Sequence, residues 1–346
     1  MYILEVSVVR FKQAGLLLAV LGVVVSLSSA AHAEWKWSGY TQLRFNQWDS
    51  DLNKPDNDQF QIRRARIKLE GQVSEDTTIT LQADFSKLVD DEKGSGSVEL
   101  KDALITRKFS PEWFVTGGYT SVPFGYEVPL SDSFAWPLER SKVADALFPG
   151  QRDTGVYVHY RPAKAAVPQV DFGYGNGLHS WYDGTDRDTS SEAFIARAQW
   201  PLKNAGVAGL SYMMADRTRT IGGTSYDFDN QDAWGAHLRY NFPRNWTVQS
   251  DYYNGHQPVL SGGLPVNLSV DGWYGLAGYT LTSKPVTFFY RYDTYDFGGA
   301  DDFNRNALGL VWDRNKNDRY TIQIEDGDDG KGTDFTNFAV QWQVKY

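Results

Sequence analysis

The stretch NFAVQWQVKY, Asn337 to Tyr346, alternates without a break. Phe338, Val340, Trp342, Val344 and Tyr346 fall on one face; Asn337, Ala339, Gln341, Gln343 and Lys345 fall on the other. A period of two marks a β-strand with one apolar and one polar side. Taken alone, the pattern leaves open whether the apolar side meets a protein core or lipid. The rest of the chain answers by repetition.

Alternating stretches of about ten residues, bounded by turn residues, recur at 35–48, 60–73, 77–87, 98–109, 114–121, 154–161, 168–174, 192–200, 207–216, 232–242, 246–255, 270–281, 286–296, 305–313, 319–326 and 335–346. That is sixteen, and bacterial single-chain membrane barrels have an even number of strands. Connections alternate in length. Short ones such as SED at Ser74, SPE at Ser110 and PRN at Pro243 face longer Asp- and Gly-rich ones at 49–59, 175–191, 217–231 and 255–269. Short turns on one rim and long loops on the other belong to an outer-membrane barrel rather than a soluble sandwich. The predicted fold is all-β: a transmembrane antiparallel barrel of 16 strands. Hydrocarbon offers no partner to an unpaired edge, so the first strand, WKWSGYTQLRFNQW, must pair with the last. The apolar row of the last strand then faces outer-membrane lipid, with Tyr346 in the aromatic girdle at the periplasmic rim. The same strand is the expected contact for the barrel assembly machinery.

Composition agrees. Arg10 and Lys12 precede an apolar core at 14–25 and an Ala31-His32-Ala33 cleavage pattern, the layout of an export signal. The expected organisation is a signal peptide over 1–33 and a single barrel over 34–346; the alternative is a membrane anchor. No later run reaches the ~18 apolar residues of a membrane helix. The 346-residue chain has no Cys, 12 Trp, 20 Tyr and a net charge of −9. Without Cys there is neither a disulfide framework nor a thiolate metal site. The acidic balance argues against nucleic acid. A mean hydropathy of −0.47 excludes a helical bundle in lipid but suits strands that touch lipid with alternate residues only.

The faces carry the chemistry. In the second strand, FQIRRARIKLEGQV, Ala65, Ile67, Leu69, Gly71 and Val73 oppose Arg64, Arg66, Lys68, Glu70 and Gln72, with Phe60 and Ile62 out of phase and a bulge predicted near Arg63. A charge on the lipid face at midplane costs roughly 2–4 kcal/mol, so charged rows should face the lumen. The expected basic wall is Lys36, Arg44, Arg64, Arg66, Lys68, Lys101, Arg197, Arg239 and Arg291; the acidic wall is Glu70, Asp84, Glu99, Asp251, Asp293 and Glu325. Basic residues outnumber acidic ones there, while acid collects in the loops, as in EDGDDGKGTD. Basic rings favour anions; the alternative is cross-pairing that leaves a weakly selective channel.

The fifth connection, 122–153, is about thirty residues, and structureless segments of that length are commonly functional. Phe134, Trp136, Leu138, Leu147 and Phe148 make it apolar in patches, so it is expected to pack inside the barrel as a constriction. Arg140, Lys142 and Arg152 would then face or brace the narrowest section against Asp132, Glu139 and Asp145. An external cap or a subunit contact is the other reading. His159, His179, His237 and His256 show no metal-ligand spacing, and no nucleophile, base and orienter converge. The run Asp326 to Asp334 has oxygens for Ca²⁺, but the favoured reading is a solvated hairpin. No cofactor is expected.

At FQIRRARIKLEGQV, LQADF, VELKDALITRKF and above all VTGGYTSVPFGYEVPLSDSF, the chain resembles the phosphate-selective porin O and P family. The resemblance is specific over 60–134. It implies a 16-stranded barrel, commonly trimeric, with the third external loop folded into the lumen; by the strand count above, that loop is the fifth connection. It also implies an anion-selective pore with an arginine ladder, and Arg64, Arg66 and Lys68 occupy the matching strand. The function so implied is passive diffusion of small hydrophilic solutes across the bacterial outer membrane, with a modest preference for inorganic anions, phosphate among them. The alternatives are a non-selective or cation-preferring pore and, from another class, a barrel enzyme or receptor.

Overall fold

The structure, a computed structural model, describes residues 34–50, 59–89, 96–148, 150–164, 166–177, 190–203, 205–221, 224–228, 232–261, 264–296, 298, 302–330 and 332–346. The expected leader and His179 lie outside them. Seventeen strand segments form one antiparallel sheet. They are β1 (Glu34–Ser50), β2 (Gln59–Gln72), β3 (Thr77–Asp84), β4 (Glu99–Lys108), β5 (Trp113–Ser121), β6 (Arg152–Tyr160), β7 (Gln169–Gly175), β8 (Ser190–Pro201) and β9 (Gly206–Ile221). There follow β10 (Thr224–Phe228), β11 (Ala233–Phe242), β12 (Trp246–Ser261), β13 (Leu264–Thr280), β14 (Val286–Asp296), β15 (Phe303–Asp313), β16 (Asp318–Asp329) and β17 (Asp334–Lys345). Both β10 and β11 pair with β9, the first at 217–221 and the second at 206–213. They are two lengths of one stave, so the barrel has sixteen staves. β1 pairs with β17 from Tyr40↔Lys345 to Ser50↔Phe335, which closes the cylinder and leaves no edge.

Alternation sorts the side chains inside out. In β14, Phe288 and Tyr290 are exposed, while Arg291 and Asp293 beside them are 1% and 0% exposed. In β17, Phe338 and Trp342 are exposed, while Asn337, Gln341 and Gln343 are buried. The exposed row is apolar and the buried row polar, the arrangement a barrel needs in lipid. Trp37, Trp113, Trp200, Trp246, Trp312, Trp342 and Tyr346 stand exposed toward the short-turn rim, and Trp48, Trp234 and Trp273 toward the other. Leu210 and Leu308 are exposed between the two rings. Leu308→Arg is therefore expected to destabilise the barrel by about 2–4 kcal/mol, read as a shifted urea midpoint for unfolding from lipid vesicles.

The seam is finished by the last residue. The N–H of Tyr346 donates to the Gly39 carbonyl at 3.1 Å, and the Gly39 N–H donates back to Tyr346 at 2.9 Å. The Tyr346 ring then crosses β1, and its hydroxyl donates to the Arg66 carbonyl of β2 at 3.0 Å. Any Cβ at Gly39 would collide with the Tyr346 ring and the Arg66 carbonyl.

Two expected loops are largely strand. β9 and β10 pair up to Ile221↔Thr224, and β12 and β13 run on to Ser261↔Leu264. Each pair is joined through Gly-Gly (Gly222-Gly223 and Gly262-Gly263), a two-residue hairpin signal between strand-forming runs. The Asp and Asn of 227–232 masked that signal in the first case, and a Pro on each side of the turn masked it in the second.

Candidate functional site

The site begins with a register shift. β1 pairs with β2 as Gln42↔Arg64, then Leu43↔Ile62, so Arg63 is the extra residue of a β-bulge. The bulge turns Arg63 to the same side as Arg64 and Arg66. With Arg44 of β1, four guanidinium groups face inward from two adjacent strands.

Two carboxylates of the segment between β5 and β6 meet them. Glu139 accepts from Arg44 at 2.5 Å and from Arg63 at 2.8 and 2.9 Å, with Arg64 at 3.7 Å. Asp132 lies 3.0 Å from Arg64, 2.9 Å from Arg66 and against Arg140 of its own segment. Arg66 also holds Asp84 at 2.8 Å and the Tyr40 hydroxyl at 2.7 Å. Burial alone would raise the Asp132 carboxyl, but Arg140, Arg64 and Arg66 hold it well below the usual carboxylate range. Glu139 is held low in the same way, against burial, by Arg63, Arg44 and Arg64.

The same segment is tied to inward side chains of many other staves. The Gly125 N–H donates to Ser211 Oγ at 2.9 Å, and the Tyr126 and Glu127 N–H groups share Asp251 Oδ2 at 3.3 and 2.8 Å. The Leu138 N–H donates to Gln323 at 3.0 Å and the Lys142 N–H to Asp293 at 3.1 Å. Arg291 and Arg305 both donate to the Arg140 carbonyl, at 3.1 and 2.6 Å. Arg319 donates to the Ser133 and Ala135 carbonyls at 3.2 Å. Partners on β1, β8, β9, β12, β14, β15, β16 and β17 thus satisfy a backbone that has little ladder of its own outside one short helix.

Apolar packing fixes the other flank. A short helix, α1 (Lys142–Leu147), is capped by Ser141, whose hydroxyl donates to Glu127 at 2.5 Å. Phe124, Val128, Val143, Ala144, Leu147 and Phe148 are 0–2% exposed and form one cluster with Ile195, Met213, Ala233, Tyr253, Val270, Tyr295, Phe303 and Phe335. The inward face of β8–β17 therefore carries an apolar patch among its charges.

An open space lies on the opposite side. A cavity of about 320 Å³ separates the segment from β2–β4. Its walls carry Arg63, Arg64, Arg66, Lys87, Lys101, Arg140 and Arg152 against Asp84, Glu99, Asp132, Glu139 and Asp145. Lys101 and Lys87 share Glu99 at 2.5 and 3.4 Å, and Arg152 holds Asp102 at 3.1 Å. Asp145 is solvent-accessible yet ringed by the barrel; enclosure pushes its carboxyl up to about 6, with Arg140 opposing and Glu139 and Glu127 adding to the rise.

The expected wall residues divide accordingly. Arg44, Arg64, Arg66 and Lys101 stand at or beside this cavity. Arg197 is held by Asp171 at 2.7 Å and by the Gly125 carbonyl at 3.0 Å, so together with Arg291 it braces the segment instead. Arg239 lies 5.8 Å from the Tyr126 ring. Lys36 pairs with Glu34 at the rim, and Lys68 with Glu70, both away from the cavity. In the segment, Glu139 pairs with Arg44 and Arg63 of the wall, and the Lys142 ammonium sits over the Phe303 ring at 5.4 Å. Arg152 belongs to β6 rather than to the connection. Phe134 is 63% exposed and stays outside the apolar cluster, under the Lys345 ammonium at 3.9 Å.

Sequence reading passed over Arg63, Lys87, Arg305 and Arg319. Arg305 was legible: it is in phase with the inward Phe303 and Ala307. Lys87 lies in a 3-10 turn beyond β3, where period two ends. Among the described residues no group of His, Asp and Glu could hold a metal ion. Asp328 and Asp329 instead accept N–H groups of their own turn, from Gly330 at 2.7 Å and Thr333 at 3.2 Å.

Residues 37–226, more than half of the chain, match the family described as phosphate-selective porin O and P. No curated protein sequence matches. The fold is shared with an anion-selective porin from Comamonas acidovorans (TM-score 0.65, 13% identity, 91% of this chain and 100% of that one). It is also shared with the outer membrane channel DcaP of Acinetobacter baumannii (0.65, 14%, 92% and 97%) and with the trimer form of OmpT from Vibrio cholerae (0.58, 12%, 91% and 99%).

Proposed function

The chain belongs to the phosphate-selective porin O and P family, and from that premise we propose that it lets small hydrophilic solutes diffuse across the bacterial outer membrane with a modest preference for anions. The observation that carries the preference is the wall of the 320 Å³ cavity, where seven cationic side chains face five anionic ones. In this reading the segment 122–151 fills the lumen and the cavity is its constriction. Arg63, Arg64, Arg66 and Lys101 hold the local potential positive, and no bond is made or broken. Water-filled passage requires binding weak enough to release; carboxylates interleaved with the cations supply that by keeping the net charge small. The anion-selective porin and the OmpT trimer that share this fold support the anion preference and a homotrimer. Residues 1–33 are proposed to be removed on export, which N-terminal sequencing of the outer-membrane form checks.

The test is the reversal potential of single channels under a KCl gradient, repeated with phosphate on one side. An anion-signed potential is expected. A cation-signed one would give control to the acidic run around Asp326, Asp328 and Asp329 instead. Channel-free, folded protein would return the enzyme and receptor readings.

Asp145 adds a pH dependence. Its carboxyl titrates near 6, so lowering the pH from neutral through that value removes one negative charge from the cavity wall. At about 8 Å in water one charge is worth about 0.5 kcal/mol to each ion, with opposite sign for the two, so chloride over potassium permeability should rise about fivefold. Asp145→Asn should hold the ratio at its acid value across the range.

A further inference from the structure

The segment 122–151 leaves a second space, on the far side from the charged cavity. It measures about 200 Å³ and lies between the segment and β11–β14, toward the short-turn rim. At about 30 Å³ per water it would hold a single-ring solute. Its character differs from that of the first cavity. Three rings from the segment line it, Tyr126, Phe134 and Trp136. Trp136 lies flat against Gly278 of β13, where any side chain would overlap the indole. Phe134 is 63% exposed, with the Lys345 ammonium over its ring at 3.9 Å.

Two guanidinium groups reach the same space, and only one is neutralised. Arg291 is held by Glu127 at 3.3 Å and Asp293 at 3.2 Å. Glu127 is fully engaged, because its second oxygen accepts from Ser141. Arg239 has the Tyr126 ring at 5.8 Å and, among the described residues, no carboxylate within ion-pairing distance. One uncompensated guanidinium beside three rings, with Gln249 and Thr247 as polar neighbours, defines a chemistry. Guanidinium binds a carboxylate through two parallel hydrogen bonds, and a ring stacks on aromatic faces. A phosphate dianion has no use for the three rings, a poor match.

We propose that this pocket binds small organic acids that carry one carboxylate on an apolar, single-ring body, holding them by Arg239 and the Trp136–Tyr126–Phe134 faces. The proposal rests on the pore reading only in making the pocket a stop on a transit route. Benzoate is the probe, with acetate and benzamide as controls lacking the ring or the charge. In equilibrium dialysis of detergent-solubilised protein, benzoate should bind saturably and at least tenfold more tightly than either control. Arg239→Gln should weaken it at least tenfold and Trp136→Ala severalfold. In single-channel records benzoate should interrupt the current, and Arg239→Gln should shorten the interruptions. Equal binding of acetate, or benzoate binding unchanged in both variants, would overturn the site. Should Arg239→Gln fail to fold, Trp136→Ala alone decides. Arg239-dependent binding in a protein that forms no channels would sustain the pocket and sink the pore reading; uninterrupted channels with no binding would do the reverse.

Discussion

Replacing Asp132 and Glu139 together, by Asn and Gln, is expected to raise chloride over potassium permeability by a factor of ten or more. These two carboxylates are the counter-ions of Arg44, Arg63, Arg64, Arg66 and Arg140. A unit charge about 6 Å from a passing ion, at an effective dielectric of about 40, is worth about 1.4 kcal/mol, or tenfold in partition. Two such changes exceed any single-site effect in the cavity. The substitution also breaks buried ion pairs, at up to about 3–5 kcal/mol each, with Arg66 keeping Asp84 and Arg44 keeping Gln341. Heat-modifiable gel mobility should therefore be checked first, to show that the barrel is intact. The mirror variant, Arg64→Ala with Arg66→Ala, should move selectivity toward cations. Reversal potentials that stay put in both variants would mean that ions do not pass between the segment and β2–β4.

Phe124→Ala with Phe148→Ala should open the channel instead. Both rings are 0% exposed and stand 4.3 Å apart at the centre of the apolar cluster that fastens the segment to β8–β17. Truncating a buried Phe costs about 3–5 kcal/mol, and the two losses combine without simple addition because the rings touch. The ladder of β-strands is untouched, so the barrel should stay folded while the segment loosens. A sixteen-stranded barrel without its plug is wide enough for an aqueous channel; single-channel conductance should rise severalfold and grow noisy. An unchanged, quiet conductance in folded protein would show that this segment does not set the narrowest section.

The barrel was readable wherever one face was apolar and the other charged. β17 alternates so strictly that its register could be drawn from the letters alone, while in β14 only Arg291 and Asp293 mark the inward row, which also carries Phe289 and Tyr295. β8 was harder, because Ala193, Phe194, Ile195 and Ala196 are apolar on both faces; Ile195 faces the segment and Phe194 faces outward. That ambiguity hid the inner apolar patch, since nothing local marks which of two greasy rows meets lipid. The bulge at Arg63 was legible from the broken phase of Phe60 and Ile62, but its effect on side-chain direction was not drawn. Least legible were the pairs Glu139–Arg44 and Asp132–Arg66. They depend on the path of thirty residues with no period, and partners so chosen leave no spacing to read.

The clasp of Tyr346 on Gly39 and Arg66 has a kinetic meaning. It joins strands about 300 residues apart, and closing so long a loop costs about 5 kcal/mol in chain entropy before any hydrogen bond is gained. The seam is thus the contact of highest sequence separation in the sheet and the natural last step of assembly, after hairpins such as β12–β13 have formed locally. Once shut, it leaves no free strand end from which lipid-embedded unzipping could start without first exposing unpaired amides to hydrocarbon. Tyr346, bonded to both neighbouring strands, therefore adds to the barrier that opening the seam must cross, a kinetic contribution in a chain whose sequence holds no Cys.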